Sequence, residues 1–306
     1  MVDVEESFVK FLKETKDVGK DVEIAPFDNI IAGGMGGSGI AADILKIFVK
    51  DKPLYVVHDY EFPKWANTKT LVLLISYLGN SEEIMSLYLE AKKRNCQIIA
   101  ITSGGKLKDR CLGDKVSYVR LPSGIEPKTV LPMILVPLLN ILKVNVDYEN
   151  VIQAIRSPVM KEKAKEMAES MVERIPIIYS SSRMYPIAYR WKTMFNLNAK
   201  IQAFASVFPE MNHNELEAYS EAKQNFYVVM IRDEDDSLRM KQRMDLTKKI
   251  IMERKVPVTE LSITGKNLFV RIISGVFLGD ITSVMLAGMY EINKNSLIDD
   301  FKKQLR

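Results

Sequence analysis

Two cysteines, Cys96 and Cys111, and two histidines, His58 and His213, are all that the 306 residues contain of those types. Neither a disulfide framework nor a Cys/His zinc cluster can be assembled from so few, so no metal is expected and a reducing, cytoplasmic setting is. Charge of one sign is scarce as well. The 43 Lys and Arg face 39 Asp and Glu, a formal charge of +4 spread along the chain rather than gathered in runs, and nothing there demands nucleic acid. The most apolar stretch, 130–142, is too short to span a bilayer and carries Pro132, Pro137 and Asn140. The beginning, Met1-Val2-Asp3-Val4-Glu5-Glu6, lacks a basic, apolar leader pattern, so no membrane partner is expected.

What is present is an ordinary globular balance, 47% hydrophobic and 27% charged. At roughly 100–200 residues per domain the length predicts two domains. Apolar runs at 29–32, 54–57, 71–75, 97–101 and 116–119 read as buried parallel strands, with helices predicted at 40–49, 81–94 and 130–142 between or after them. Ser81 is the expected N-cap of the second helix, with Glu82 and Glu83 in its first turn. The segment 147–158 lacks strong periodicity, and a fresh α/β series follows it. Strands are predicted there at 175–179, 226–231 and 256–261, and helices at 161–172, 185–195, 238–253 and 269–290, with a last helix ending at Arg306. The expectation is a domain over residues 1–150 and a second over 151–306. Ile30-Ile31-Ala32-Gly33 running into a small-residue loop is echoed by Ile177-Ile178-Tyr179-Ser180 running into Ser181-Ser182-Arg183, which suggests a two-fold repeat.

The loops after the strands carry the chemistry. Gly33-Gly34-Met35-Gly36-Gly37-Ser38-Gly39 lies between a strand and a helix, where glycines allow close backbone approach and a helix N-terminus offers N–H groups to an anion. The bland reading is a tight turn without a ligand. Gly34, Gly36 and Gly39 also satisfy G-x-G-x-x-G, with Asp59 about 20 residues on, so an NAD(P)-binding oxidoreductase competes. The next strand ends in Ser76-Tyr77-Leu78-Gly79-Asn80-Ser81, and a third ends in Thr102-Ser103-Gly104-Gly105. Neighbouring hydroxyl-bearing turns favour one compact phosphomonoester over a dinucleotide, although N-capping by itself would explain Ser81.

In this order the glycine loop, the Ser-Tyr-x-Gly-Asn-Ser turn and Ile-Thr-Ser-Gly-Gly resemble the sugar isomerase (SIS) domain. With Glu126-Pro127-Lys128-Thr129-Val130-Leu131-Pro132, Arg190-Trp191-Lys192 through Phe195-Asn196-Leu197-Asn198-Ala199-Lys200, and Pro209-Glu210-Met211-Asn212-His213-Asn214-Glu215, the whole chain is similar to the archaeal bifunctional phosphoglucose/phosphomannose isomerases. The resemblance implies two SIS-type domains, each a mainly parallel, flavodoxin-like doubly wound sheet flanked by helices. It implies a homodimer with active sites shared at its interface, no cofactor or metal, and interconversion of glucose-, mannose- and fructose-6-phosphate. Gly36, Gly37, Ser38, Ser76, Ser81 and Asn295 are then the substrate-binding residues. His213 matches the ring-opening histidine supplied across the dimer, Lys302 the C-terminal-helix lysine beside the ring oxygen, and Lys128 the arginine near the enediolate.

Several positions depart from the family pattern, among them Ser81 in place of a threonine. Leu197 stands where the family has its base, the Glu of Phe-Asn-Glu-Asn-Ala-Lys; Lys128 replaces the arginine fork; Leu78 replaces a serine; and Asn295-Ser296 replaces Thr-Pro at the sugar-configuration site. A missing general base costs about 10²–10⁴-fold, so catalysis is expected to be impaired unless Glu210, Glu215 or another acid substitutes. The alternative is a non-catalytic or regulatory SIS-domain protein that binds a sugar phosphate.

Overall fold

Among the described residues, nine short strands, most of them runs of Ile, Val and Leu, pair into two separate sheets in which every neighbour is parallel. The computed structural model describes residues 4–221, 223–292 and 296–305. The first sheet follows α1 (Val4–Glu14) and takes the order β2-β1-β3-β4-β5, from β1 (Asn29–Gly34), β2 (Leu54–Val57), β3 (Thr70–Ile75), β4 (Gln97–Thr102) and β5 (Ser117–Arg120). Its crossovers run through α2 (Gly37–Phe48), α3 (Glu82–Lys93) and α4 (Gly105–Gly113). Every residue of β3 is buried, as expected of a strand covered by helices on both faces.

Three helices, α5 (Leu131–Ile141), α6 (Tyr148–Ile155) and α7 (Pro158–Met171), lead to the second sheet. Where the sequence reads as aperiodic, α6 forms because the Asp147 carboxylate accepts from Asn150 N–H at 3.2 Å and caps it. The second sheet has the order β7-β6-β8-β9, built from β6 (Ile175–Ser181), β7 (Phe204–Phe208), β8 (Phe226–Asp233) and β9 (Val258–Ile263). Between these strands lie α8 (Tyr185–Met194), α9 (Glu215–Ala218) and α10 (Leu238–Glu253), and after them α11 (Leu268–Ala287) and α12 (Leu297–Gln304). The edge strand β7 carries no clean apolar run, since only Phe208 of its five residues is buried, and it escapes a reading by periodicity.

The strand order 2-1-3-4 is common to both halves, which gives the repeat suggested by the sequence a topological basis. The halves also share one core. Phe8 of α1 meets Phe277 of α11 edge to face at 5.3 Å, and Trp191 is fully buried with Nε1 donating to Gly275 O at 2.8 Å. Helix α11 is long and apolar enough to cross a membrane by length and composition, but 83% of that window is buried among the other elements. Its hydrophobicity serves the core.

Candidate functional site

In a doubly wound sheet the crevice forms where the chain leaves in opposite directions from adjacent strands, here at the C-terminal ends of β1 and β3. Their register pairs Gly34 with Ile75, so the glycine loop and the serine turn leave the sheet side by side. Gly36 sits at φ +53°, ψ −126°, a conformation that favours glycine, and it turns the chain into α2. Ser38 and Gly39 spend their N–H groups on Met35 O at 3.1 and 3.3 Å. The amides of Gly36 and Gly37 donate to no backbone group among the described residues and stay available at the helix N-terminus.

In the second turn Ser81 occupies the N-cap of α3 without making a capping bond; its Oγ lies 3.0 Å from Ser76 Oγ instead. The two hydroxyls therefore form a pair at the crevice rather than serving the helix. Gly79, at φ +72°, brings the turn against the third loop, where Ser103 N–H donates to Tyr77 O at 2.8 Å. Leu78 projects outward, 52% exposed, and adds no hydroxyl to this rim.

Tyr77 and Arg190, which lie within the quoted motifs but were given no role, tie this rim to the next segment. The Tyr77 hydroxyl donates to Pro122 O at 2.9 Å and accepts from Ile125 N–H at 3.1 Å, holding the chain just before the Glu126-Pro127-Lys128-Thr129 turn. Arg190, 1% exposed on α8, chelates Asp280 of α11 through Nε and Nη2, both at 2.8 Å, and its Nη2 also donates to Lys128 O at 2.7 Å. Burial pushes the Asp280 carboxyl up and the Arg190 guanidinium opposes that. A Cβ added to Gly37 would lie 3.7 Å from Pro127 O and 3.8 Å from Arg190 Nη1, so the glycine loop abuts this turn. A guanidinium inside a helix is usually read as a solvated face, which is why only the tertiary contact reveals it.

Lys128 Nζ pairs with Glu126 Oε1 at 2.9 Å. Both line a cavity of about 590 Å³ together with Met194 and Asn198, under apolar walls that include Phe8 and Val284. Leu197 lies between those two residues on a π turn, Phe195–Ala199, that continues α8, and it is 37% exposed. Asn198 anchors the turn by donating to Ser283 Oγ at 2.9 Å.

The remaining expected residues stand apart. His213 is exposed at the end of the short turn Glu210–His213 after β7, and among the described residues neither it nor Lys302 makes a hydrogen bond or ion pair to the loops above. Lys302 rides on α12, a helix with no buried residue. Asn295 lies outside the described residues. Of the acids considered as substitutes for the base, Glu210 accepts from Asn214 Nδ2 at 3.3 Å and Glu215 accepts from the Tyr179 hydroxyl at 3.0 Å, neither lining the Lys128 cavity. Burial pushes the paired phenols of Tyr179 and Tyr219 up, Tyr219 to about 12, so both stay protonated as donors around Glu215.

Comparison with known proteins yields a consistent set. Residues 160–305 match the family model described as bacterial phospho-glucose isomerase C-terminal SIS domain. The chain is 36% identical over 288 residues to a bifunctional phosphoglucose/phosphomannose isomerase of Aquifex aeolicus, covering 90% of this chain and 89% of that one. It is 33% identical over 315 residues to the protein of the same name from Caldicellulosiruptor bescii, covering 95% and 93%. Among solved structures, the C-terminal domain of glucosamine-fructose-6-phosphate aminotransferase from Francisella tularensis superposes with a TM-score of 0.72 at 15% identity, covering 95% of each chain, a likeness of fold.

Proposed function

The chain belongs to the bifunctional phosphoglucose/phosphomannose isomerase family, and from that membership we propose that it binds a hexose 6-phosphate at the β1/β3 crevice and acts on it as an aldose–ketose isomerase of reduced power. The observation that carries this reading is the convergence of two hydroxyl- and amide-bearing loops, with Ser76 and Ser81 3.0 Å apart, beside a turn that presents Lys128. Gly36, Gly37, Ser38, Ser76 and Ser81 take the phosphate dianion, which accepts from hydroxyls and from amides at the start of α2.

The reaction needs the ring opened, a proton carried between C1 and C2, and positive charge at the enediolate oxygen. Lys128 supplies the charge. His213 opens the ring from a second copy of the chain, a reading supported by its exposed position away from its own chain's loops; Lys302 acts beside the ring oxygen. In this reading the protein is a cytoplasmic homodimer whose two SIS domains divide near residue 150. Leu197 removes the family's base, so turnover falls at least about 10²-fold below that of an enzyme that has it.

Coupled assays with glucose-6-phosphate and mannose-6-phosphate, run beside thermal melts with fructose-6-phosphate, test this. Weak turnover with a raised melting temperature is expected. Binding without turnover would select the non-catalytic alternative, and stabilisation by NADH instead would revive the dinucleotide reading.

A further inference from the structure

If Leu197 holds the base's position, some other group must move the proton in whatever turnover the chain retains, and this question rests on the sugar-phosphate reading above. We infer that Glu126 is that group. Asp280 lines the same cavity but is fully committed to Arg190, while Glu210 and Glu215 lie outside it. Glu126 is left as the acid that shares the cavity with the Lys128 ammonium, 2.9 Å away, and with Met194 and Asn198 of the segment that carries Leu197.

The turn that bears the pair is held from three directions. Arg190 donates to Lys128 O at 2.7 Å, Thr129 Oγ1 donates to Glu126 O at 2.9 Å, and Ile125 N–H donates to the Tyr77 hydroxyl at 3.1 Å. A Cβ built on Gly37 would lie 3.7 Å from Pro127 O, so the turn that bears Glu126 and Lys128 abuts the glycine loop.

The step balances without a cofactor. The Glu126 carboxylate takes the C2 proton of the open-chain aldose; the C–H electrons form the C1–C2 double bond, and the carbonyl pair moves onto O1, where the Lys128 ammonium faces it. The O2 hydroxyl proton passes to O1, the new carboxylic acid returns its proton to C1, and C2 becomes the carbonyl of the ketose. A cation and a carboxylate on one rigid turn meet the positional demand of such a shuttle.

The test is solvent deuterium incorporation into fructose-6-phosphate by the full-length protein, followed by NMR, with thermal melts in the same ligand as the binding readout. Wild type should exchange slowly. Glu126→Gln should lose at least about 10²-fold of that exchange while keeping the ligand-induced melting shift, and Glu126→Asp, which keeps the acid one methylene short, should fall between. Should Glu126→Gln fail to fold, the graded loss in Glu126→Asp serves as the readout. Exchange within a few-fold of wild type in Glu126→Gln overturns the inference and leaves the isomerase reading standing. Wild type that binds without exchanging overturns it in favour of a binding protein, and wild type that does not bind removes the sugar-phosphate reading itself.

Discussion

At the scale of single residues, the proposed loss of turnover rests on Leu197. Its side chain is 37% exposed on a turn that is otherwise anchored, so a longer polar group can be accepted without repacking. Leu197→Glu should raise isomerisation toward about 10²-fold in the coupled assay. Gly79 is constrained by backbone instead: at φ +72° a Cβ would come within 1.7 Å of Gly104 O. Gly79→Ala is expected to cost roughly 1–3 kcal/mol in urea unfolding, and to abolish the phosphosugar melting shift by displacing the Ser76–Ser81 turn.

His58 gives a pH signature. Nδ1 donates to Gly34 O at 2.9 Å while Nε2 meets Asp43 Oδ2 at 3.1 Å, and the Asp43 hydrogen bond raises the imidazole above its ordinary 6.5. A group whose pKa is higher folded than unfolded contributes stability fully below the unfolded value, and that contribution is lost as pH rises through the folded one. His58→Gln should therefore lower the melting temperature relative to wild type at about pH 5.5 and change it little at about pH 8.5. A deficit that grows toward high pH would contradict this.

At the scale of elements, α8 joins the two halves of the site. Its Arg190 reaches the Lys128 turn, its partner Asp280 lies on α11, and its last residues run into the π turn that carries Leu197. Arg190→Met leaves a buried, uncompensated Asp280 and should cost about 3–5 kcal/mol by chemical denaturation, whereas Arg190→Met with Asp280→Leu should recover much of that loss. The long helices of the second half were legible because amphipathic or apolar runs repeat at helical spacing, whereas the four-residue α9 was not. The π turn and β7 were not, since a five-residue irregularity and a mostly exposed edge strand leave no periodic trace. The roles of Arg190 and Tyr77 were illegible for a related reason: an arginine on a helix and a tyrosine in a loop have no assignable role until their partners in distant segments are known.

For the whole molecule, two sheets of the same strand order share one core, and most of the exposed apolar surface lies outside it. Helix α12 turns Leu297, Phe301 and Leu305 outward, each at least 60% exposed, and His213 stands on the surface of the second half. The protein is expected to sediment as a dimer. On a Leu197→Glu background, mixing inactive His213→Ala chains with inactive Lys128→Ala chains should restore about a quarter of the parent activity, because half the dimers would carry one intact site. No recovery on mixing would mean that each site is built from one chain alone.

The fold class and the glycine- and serine-bearing loops proposed to hold phosphate are written in local sequence. Buried parallel strands need continuous apolar runs, and a chain that turns sharply beside an anion needs glycines and hydroxyls at fixed offsets, so both leave marks within ten residues. Which acid stands next to which base is another matter. The Glu126–Lys128 turn, Arg190 and Asp280 lie up to 154 positions apart in the chain, and they meet only because two sheets dock around a common core. No local pattern encodes that meeting, since it depends on the summed packing of all the elements between them.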